Sequence, residues 1–128
     1  MKAYIMMGSD SDMPHAEKIA AGLTAEGVPF EYFVRSAHKD PIGVYNFVKA
    51  HDNEQKVVFV TIAGRSNALS GVVAANSQKP VLACPPFKDK VDFMVNINST
   101  LQMPSKTPVL TVLDPANCAL AVARILNA

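Results

Sequence analysis

Several protein classes are excluded by what this chain lacks. No uncharged apolar stretch is long enough to cross a bilayer, and Lys2 is not followed by a long apolar run, so we expect neither a membrane span nor a signal peptide. The 12 basic and 11 acidic side chains leave a formal net charge of only +1, which disfavours electrostatic binding to nucleic acid. Since 49% of the residues are hydrophobic, the chain can form a core and is not expected to be disordered.

Cysteine is also scarce. Cys84 and Cys118 are the only two, and their spacing is typical of neither a metal site nor a redox motif, which suits a reducing cytoplasm. The 128 residues contain no internal repeat, low-complexity tract or linker, and they are too few for two domains. We therefore predict one cytoplasmic domain that spans residues 1–128.

What the chain does contain is a regular alternation of short apolar runs and helical patterns. The run at 57–63 is nearly all apolar and rich in β-branched residues, as expected of a strand covered on both faces in a parallel sheet. The predicted strands are 3–7, 29–34, 57–63, 80–84 and 109–113, and the predicted helices are 13–26, 41–50, 68–75, 89–98 and 117–126. Five βα units predict an α/β fold, a three-layer α/β/α sandwich with a five-stranded parallel sheet. With the flavodoxin-like strand order 2-1-3-4-5, ligands bind where that order reverses, between the first and third strands.

The first loop at this reversal, residues 8–12, combines a glycine with two hydroxyls and two carboxylates. A helix N-terminus offers free N–H donors to phosphate oxygens, and the serines add more. Two aspartates would repel a bare phosphate, so at least one should face a ribose diol or a base, which suggests a nucleotide-like ligand. The alternative is a well-capped strand-to-helix turn, in which Gly8 allows a sharp bend and Ser11 or Asp12 caps the helix.

The second loop, residues 36–40, holds the best acid–base candidate. Histidine titrates near neutral pH, and His38 lies just beyond a strand end, where ligands bind in this type of sheet. Lys39 supplies a cation for a phosphate or remains a solvated surface residue. His15 and His51 fall within the first helix and near the end of the second, and we interpret both as solvated or local capping residues.

The third loop, residues 64–71, follows the central strand. Its glycines lack the spacing of the dinucleotide fingerprint, and it contains no Walker lysine. Arg65, Ser66 and Asn67 offer a group of donors that suits a carboxylate, or they cap the following helix.

Taken together, the three loops resemble the signature segments of the PurE family of purine biosynthesis. The similar segments are Gly8-Ser9-Asp10-Ser11-Asp12, Ser36-Ala37-His38-Lys39 and Ala63-Gly64-Arg65-Ser66-Asn67-Ala68-Leu69-Ser70-Gly71, with further similarity at 83–86 and 101–105. Class I members, the mutases that rearrange N5-carboxyaminoimidazole ribonucleotide, have an arginine at the position of Lys39 and a histidine at that of Ala68. The chain therefore resembles class II, which carboxylates 5-aminoimidazole ribonucleotide (AIR) directly with CO2.

The resemblance implies a role for each polar loop residue. Ser9 binds the 5′-phosphate with Ser11 and Lys39 close by, and the ribose hydroxyls belong to Asp12. His38 moves the C4 proton as base in the forward direction and as acid in reverse. In the third loop, CO2 and then the new carboxylate are held by Arg65, Ser66 and Asn67. The implied substrate-binding set is Ser9, Asp10, Ser11, Asp12, Ser36, Lys39, Gly64, Arg65, Ser66 and Asn67.

The resemblance also implies that no cofactor is needed. The aminoimidazole of AIR is an enamine, whose C4 attacks CO2 without biotin, ATP or metal to give 4-carboxy-5-aminoimidazole ribonucleotide (CAIR). Family members are commonly homo-octamers, so we expect a homo-oligomer, either an octamer or a tetramer, with small-molecule substrates and no nucleic-acid or membrane partner. The alternatives are a class I mutase and a non-catalytic nucleotide-binding module.

Overall fold

A computed structural model describes all 128 residues. Five parallel strands form one sheet in the order β2-β1-β3-β4-β5, which confirms the predicted α/β class and strand order. The strands are β1 (Lys2–Met7), β2 (Phe30–Val34), β3 (Val57–Ile62), β4 (Val81–Ala83) and β5 (Leu110–Thr111). The helices are α1 (Met13–Ala25), α2 (Pro41–His51), α3 (Ala68–Ala75), α4 (Lys90–Leu101) and α5 (Pro115–Leu126).

The sheet separates two hydrophobic cores, and β1 contributes to both. Ala3, Ile5 and Met7 pack on the side of α1 and α5, whereas Tyr4 and Met6 pack on the side of α2 and α3. This is the two-residue alternation of a strand with both faces covered. All six residues of β3 are buried as well, so the apolar run that predicted a central strand is confirmed.

Helices α1 and α5 lie unusually close to each other. A Cβ atom built on Gly22 of α1 would stand 2.5 Å from the Cβ atom of Ala119 in α5, far inside van der Waals contact. Glycine at this position therefore permits the close approach of the two helices.

The end of α1 is also set by a glycine, since Gly27 adopts a left-handed φ of 71° after the last helical turn. The predicted helix stop at Gly27 is confirmed.

Element boundaries differ from the prediction where caps and short strands decide them. Neither Ser11 nor Asp12 caps α1 through its side chain; Ser9 Oγ instead accepts a hydrogen bond from the Ser11 N–H, and residues 10–12 form a 3₁₀ turn. Helix α5 begins two residues earlier than predicted because Asp114 accepts from the N–H of Asn117. None of the helices combines the length and apolar character that crossing a membrane requires.

Candidate active site

Two adjoining cavities lie at the carboxyl ends of the strands. The wider one, about 610 Å³, is lined by Ser9, Ser11, Asp12, Gly64, Arg65, Pro86, Phe87, Lys88 and Asp92. The narrower one, about 190 Å³, is lined by Gly8, Asp12, Ser36, Ala37, His38, Ala63, Gly64, Arg65, Ser66, Ala68 and Leu69. Because Asp12, Gly64 and Arg65 line both, we treat them as one cleft with a wide end and a narrow end. The three loops therefore converge as the strand order predicts.

The first loop brings two hydroxyls together at the wide end. Ser11 Oγ lies 3.0 Å from Ser9 Oγ, and the Ser11 N–H also donates to Ser9 Oγ at 3.2 Å. Asp12, at the boundary between the two ends, is half-buried, and burial raises the pKa of its carboxyl above the ordinary value. A poorly solvated carboxylate is stabilised by ligand hydroxyls that donate to it. Asp10 belongs to the same turn but lines neither end of the cleft.

His38 links the second loop to the third. Its Nε2 lies 2.8 Å from the carbonyl oxygen of Ser66. A carbonyl oxygen can only accept, so Nε2 carries the proton in this contact. In the neutral imidazole the lone pair that can take a further proton is then on Nδ1.

Arg65 and Ser66 occupy the turn that bridges the two ends of the cleft. The Arg65 guanidinium is exposed and has no ion pair or hydrogen-bond partner within the chain, so its donors remain available. Ser66 has a left-handed φ of 41°, which is uncommon for a residue other than glycine. Its carbonyl oxygen also accepts from the N–H of Ala68 at 2.6 Å. Two donors thus converge on one carbonyl beside the imidazole.

Asn67 does not reach the cleft, unlike the other two polar residues of this turn. Its side chain is buried: Oδ1 accepts from the Ser70 N–H at 3.0 Å, and Nδ2 donates to Ser70 Oγ at 2.8 Å and Thr100 Oγ1 at 3.0 Å. Both amide N–H bonds are used, so none is left for a ligand carboxylate. The capping alternative is confirmed for Asn67, whose side chain accepts from the Ser70 N–H, and its expected role in holding CO2 stays a prediction that these contacts disfavour.

Lys39 lines neither end of the cleft, whereas Lys88 and Asp92 line the wide end. The Lys88 N–H donates to Asp92 Oδ2 at 3.0 Å, which ties the loop after β4 to the first turn of α4. Sequence reasoning missed both residues. The signal was present, because β4 is parallel to β3 and its carboxyl end lies at the same edge of the sheet.

The other two histidines have structural partners. His51 Nδ1 lies 2.7 Å from Glu54 Oε2, which is a local contact but a pair of side chains instead of the predicted cap. His15 differs from the prediction, because its Nε2 donates to the Cys84 carbonyl at 2.9 Å, 69 residues away. Burial lowers the pKa of His15, so the neutral form is favoured. No group of three or more His, Cys, Asp or Glu side chains is placed to hold a metal ion.

Comparison with known proteins now adds to this geometry. A profile of the family described as AIR carboxylase matches residues 2–128. The chain belongs to the AIR carboxylase family. The phosphoribosylaminoimidazole carboxylase of Archaeoglobus fulgidus is 49% identical over 125 residues, covering 98% of this chain and 68% of that protein.

Two further relatives extend the comparison. The bifunctional phosphoribosylaminoimidazole carboxylase/phosphoribosylaminoimidazole succinocarboxamide synthetase of Homo sapiens is 37% identical over 128 residues, covering 98% of this chain and 30% of that protein. The crystal structure of Treponema denticola PurE matches with a TM-score of 0.91 at 42% identity, covering 98% of this chain and 80% of that one. The resemblance to the PurE family is thus confirmed, and this AIR carboxylase family member is an enzyme of the carboxy-lyase class, a carboxylase of purine biosynthesis.

Proposed function

We propose that this enzyme is a class II AIR carboxylase, which adds CO2 reversibly to C4 of AIR to give CAIR. The observation that carries the proposal is the composition of the cleft: a hydroxyl-rich turn at the wide end, one histidine at the narrow end, and an unpaired arginine between them. Residues 1–128 act as one catalytic domain. AIR, bicarbonate as a source of CO2, and the enzyme alone are sufficient for turnover.

The substrate is oriented by the two ends of the cleft. The 5′-phosphate binds at Ser9 and Ser11, where hydroxyl donors and the start of the 3₁₀ turn face the wide end. Asp12 accepts from the ribose hydroxyls. The base then extends past Gly64 toward His38, since both line the narrow end. In this pose the exposed ammonium of Lys88 lies on the phosphate side, whereas Lys39 lies outside both ends of the cleft.

The chemistry requires one new bond and one proton transfer. The enamine carbon C4 attacks CO2, and the adduct carries both a hydrogen and a carboxylate on C4. His38 removes this proton through Nδ1, since Nε2 is held by the Ser66 carbonyl, and loss of the proton restores the aromatic imidazole. In the reverse direction the same nitrogen returns the proton before CO2 leaves. CO2 is neutral and binds weakly, so holding it close to C4 supplies the rest of the rate enhancement.

Arg65 and Ser66 hold the carboxylate. The free guanidinium donates to CO2 as negative charge develops on its oxygens, and the adjacent Ser66 hydroxyl adds a donor. Asn67 is left out of this set because its amide is already engaged. The positive charge of Arg65 thus favours the product carboxylate over neutral CO2.

Ala68 favours direct carboxylation over the class I mutase reaction. Its methyl lines the narrow end, where a second histidine would otherwise add a proton-handling group. A mutase must release CO2 from nitrogen, retain it and pass it to carbon. We therefore expect isotopic carbon from bicarbonate to appear at C4 of CAIR, and N5-carboxyaminoimidazole ribonucleotide to be a poor substrate or an inhibitor.

The deciding experiment supplies N5-carboxyaminoimidazole ribonucleotide labelled in its carboxyl group, with unlabelled bicarbonate in the medium. Delivery of the labelled carbon to C4 without exchange would establish the mutase and reject class II. If AIR binds but neither AIR with bicarbonate nor N5-carboxyaminoimidazole ribonucleotide is turned over, the chain is a non-catalytic nucleotide-binding module.

We also propose that the chain works as a homo-oligomer, an octamer or a tetramer, located in the cytoplasm. Val91, Met94 and Val95 of α4 recur at helical spacing and are 71%, 71% and 70% exposed. Such a stripe is unfavourable in water and suits a contact with another copy. Both cysteines are free, which supports the compartment. Sedimentation of the wild type and of Met94→Glu tests the contact, and two monomeric profiles would reject it.

A further inference from the structure

We propose that Ser99 on α4 is a positioning residue for catalysis, which fixes the peptide unit between Ser66 and Asn67 and, through it, the His38 imidazole. Ser99 lies outside every loop that resembles the family signatures. The inference rests on the proposed role of His38 as the proton-transfer group.

The two ends of this one peptide unit bind different partners. Its carbonyl, from Ser66, accepts from His38 Nε2 at 2.8 Å, and its N–H, from Asn67, donates to Ser99 Oγ at 3.0 Å. The structure has no cis peptide bond, so this C=O and N–H point in opposite directions. A rotation of the peptide plane that released Ser99 would therefore turn the carbonyl away from the histidine.

The hydroxyl of Ser99 is itself oriented. It donates to the carbonyl oxygen of Asn96, one turn earlier in α4, at 3.0 Å. That bond uses the hydroxyl proton, so a lone pair of Ser99 Oγ faces the Asn67 N–H. The acceptor thus has one defined direction and is carried by a helix instead of a loop.

A buried hydroxyl and amide network holds the helix and the turn together. Asn67 Nδ2 donates to Thr100 Oγ1, the residue next to Ser99, and to Ser70 Oγ. Ser70 Oγ lies 2.6 Å from Thr61 Oγ1 of β3, which continues the network into the centre of the sheet. All four of these residues are buried, and no buried polar side-chain atom in the chain is left without a partner.

The left-handed conformation of Ser66 explains why such support is needed. A φ of 41° is costly for serine, and it persists only where the surroundings impose it. The contacts from Ser99 and Thr100 supply that constraint on the side of the turn that faces α4. On the opposite side, the Ser66 carbonyl is free to hold the imidazole with Nε2 protonated and the Nδ1 lone pair available.

The test removes the Ser99 hydroxyl and restores it. Ser99→Ala should lower kcat for AIR carboxylation roughly tenfold or more, while the KM for AIR changes less than about twofold, because misplacement affects proton transfer and not the phosphate site. Ser99→Thr keeps the hydroxyl and should recover most of the activity. Thr24→Ala, which removes an exposed hydroxyl from α1, is the control and should match the wild type.

A second readout requires no substrate. The ¹⁵N chemical shifts of His38 in the free enzyme report which ring nitrogen carries the proton, and Ser99→Ala should reduce the Nε2–H fraction relative to the wild type and Thr24→Ala. Thr100→Val, which removes the neighbouring hydroxyl at nearly constant volume, should act in the same direction.

Two results would overturn the positioning role. One is an unchanged tautomer ratio in Ser99→Ala. The other is that Ser99→Thr, which keeps the hydroxyl, loses as much kcat as Ser99→Ala, with the loss in both variants matched by a loss of thermal stability. A changed ratio together with normal turnover would support the positioning contact and reject His38 as the proton-transfer group, so the two proposals fail separately.

Discussion

The Nε2 of His38 lies 2.8 Å from the carbonyl oxygen of Ser66, a contact between two loops that are 28 residues apart in the chain. Because a carbonyl oxygen only accepts, the contact favours the tautomer of the neutral imidazole that carries its proton on Nε2. It also places the ring beside the turn that carries Arg65, so the proposed proton acceptor and the proposed carboxylate ligand are held by the same turn.

Replacing the imidazole tests its role directly. His38→Asn keeps a polar side chain but has no group that accepts a proton near neutral pH, so carboxylation should fall by about two to four orders of magnitude. AIR binding, measured by calorimetry, should remain within about threefold of the wild type because the proposed phosphate and ribose contacts, at Ser9, Ser11 and Asp12, do not involve His38. Turnover close to that of the wild type would remove His38 from the mechanism.

Removing the arginine charge should affect CO2 more than AIR. Loss of a charge-assisted hydrogen bond costs about 1.5–3 kcal/mol, so Arg65→Ala should raise the CO2 concentration needed for half-maximal rate by roughly tenfold or more. The KM for AIR should rise much less. Arg124→Ala, an exposed arginine on α5, is the matched control. An equal rise in both constants would indicate that the guanidinium binds the nucleotide instead.

Gly8 provides a test that separates folding from binding. A Cβ atom added there meets no atom within 4 Å, and its φ is not left-handed, so the fold of the chain does not require this glycine. The open space belongs to the narrow end of the cleft. Gly8→Ala should therefore leave Tm unchanged and raise the KM for AIR several-fold. A fall in Tm with normal kinetics would show that the glycine serves the turn and not the ligand.

Gly22 should behave in the opposite way. Alanine forms helices better than glycine by about 1 kcal/mol, but the new methyl would collide with Ala119 across the contact between α1 and α5. We expect Gly22→Ala to lower the free energy of unfolding by about 1–3 kcal/mol in urea denaturation. The double variant Gly22→Ala/Ala119→Gly removes the opposing methyl and should recover part of that loss. Additive losses in the double variant would contradict the steric explanation.

Stability in acid should depend on a contact at the opposite edge of the sheet. The Tyr4 hydroxyl lies 2.8 and 2.7 Å from the two carboxylate oxygens of Glu54 and donates its one proton to this carboxylate, and the bond holds the pKa of Glu54 below its ordinary value of 4.5. A depressed carboxyl pKa contributes stability above the unfolded-state value and loses it as the pH falls through the folded-state value. Tyr4→Phe should therefore lose stability at neutral pH and show a smaller further loss between neutral pH and acid. An unchanged pH dependence of urea denaturation would contradict this.

Periodicity was sufficient to predict the five strands and five helices, and the assumed flavodoxin-like order 2-1-3-4-5, which the structure has, then predicted the convergence of the three loops. Local patterns failed where a partner comes from a distant element. Asn67 is of a residue type that can donate to a ligand; its local cap with Ser70 was offered as an alternative, but its second amide bond goes to Thr100, 33 residues later, which no local pattern predicts. His15 is similar, since its partner at Cys84 is distant in sequence. Lys88 was not predicted because the site was expected only in the loops that follow the first three strands, whereas β4, parallel to β3, ends at the same edge of the sheet.

The alternation of side chains along β1 means that the packing of both cores and the position of the cleft depend on the same register of this strand. Odd-numbered residues face α1 and α5, even-numbered residues face α2 and α3, and the turn at Gly8 follows immediately. Deleting one residue within the strand would exchange the two sets, place the Tyr4 hydroxyl on the side away from Glu54, and displace the turn at residues 8–12 by about 3.3 Å. Changes of length in this segment are thus expected to be far less tolerated than substitutions, since no mutation at a single contact can restore which residues face which core.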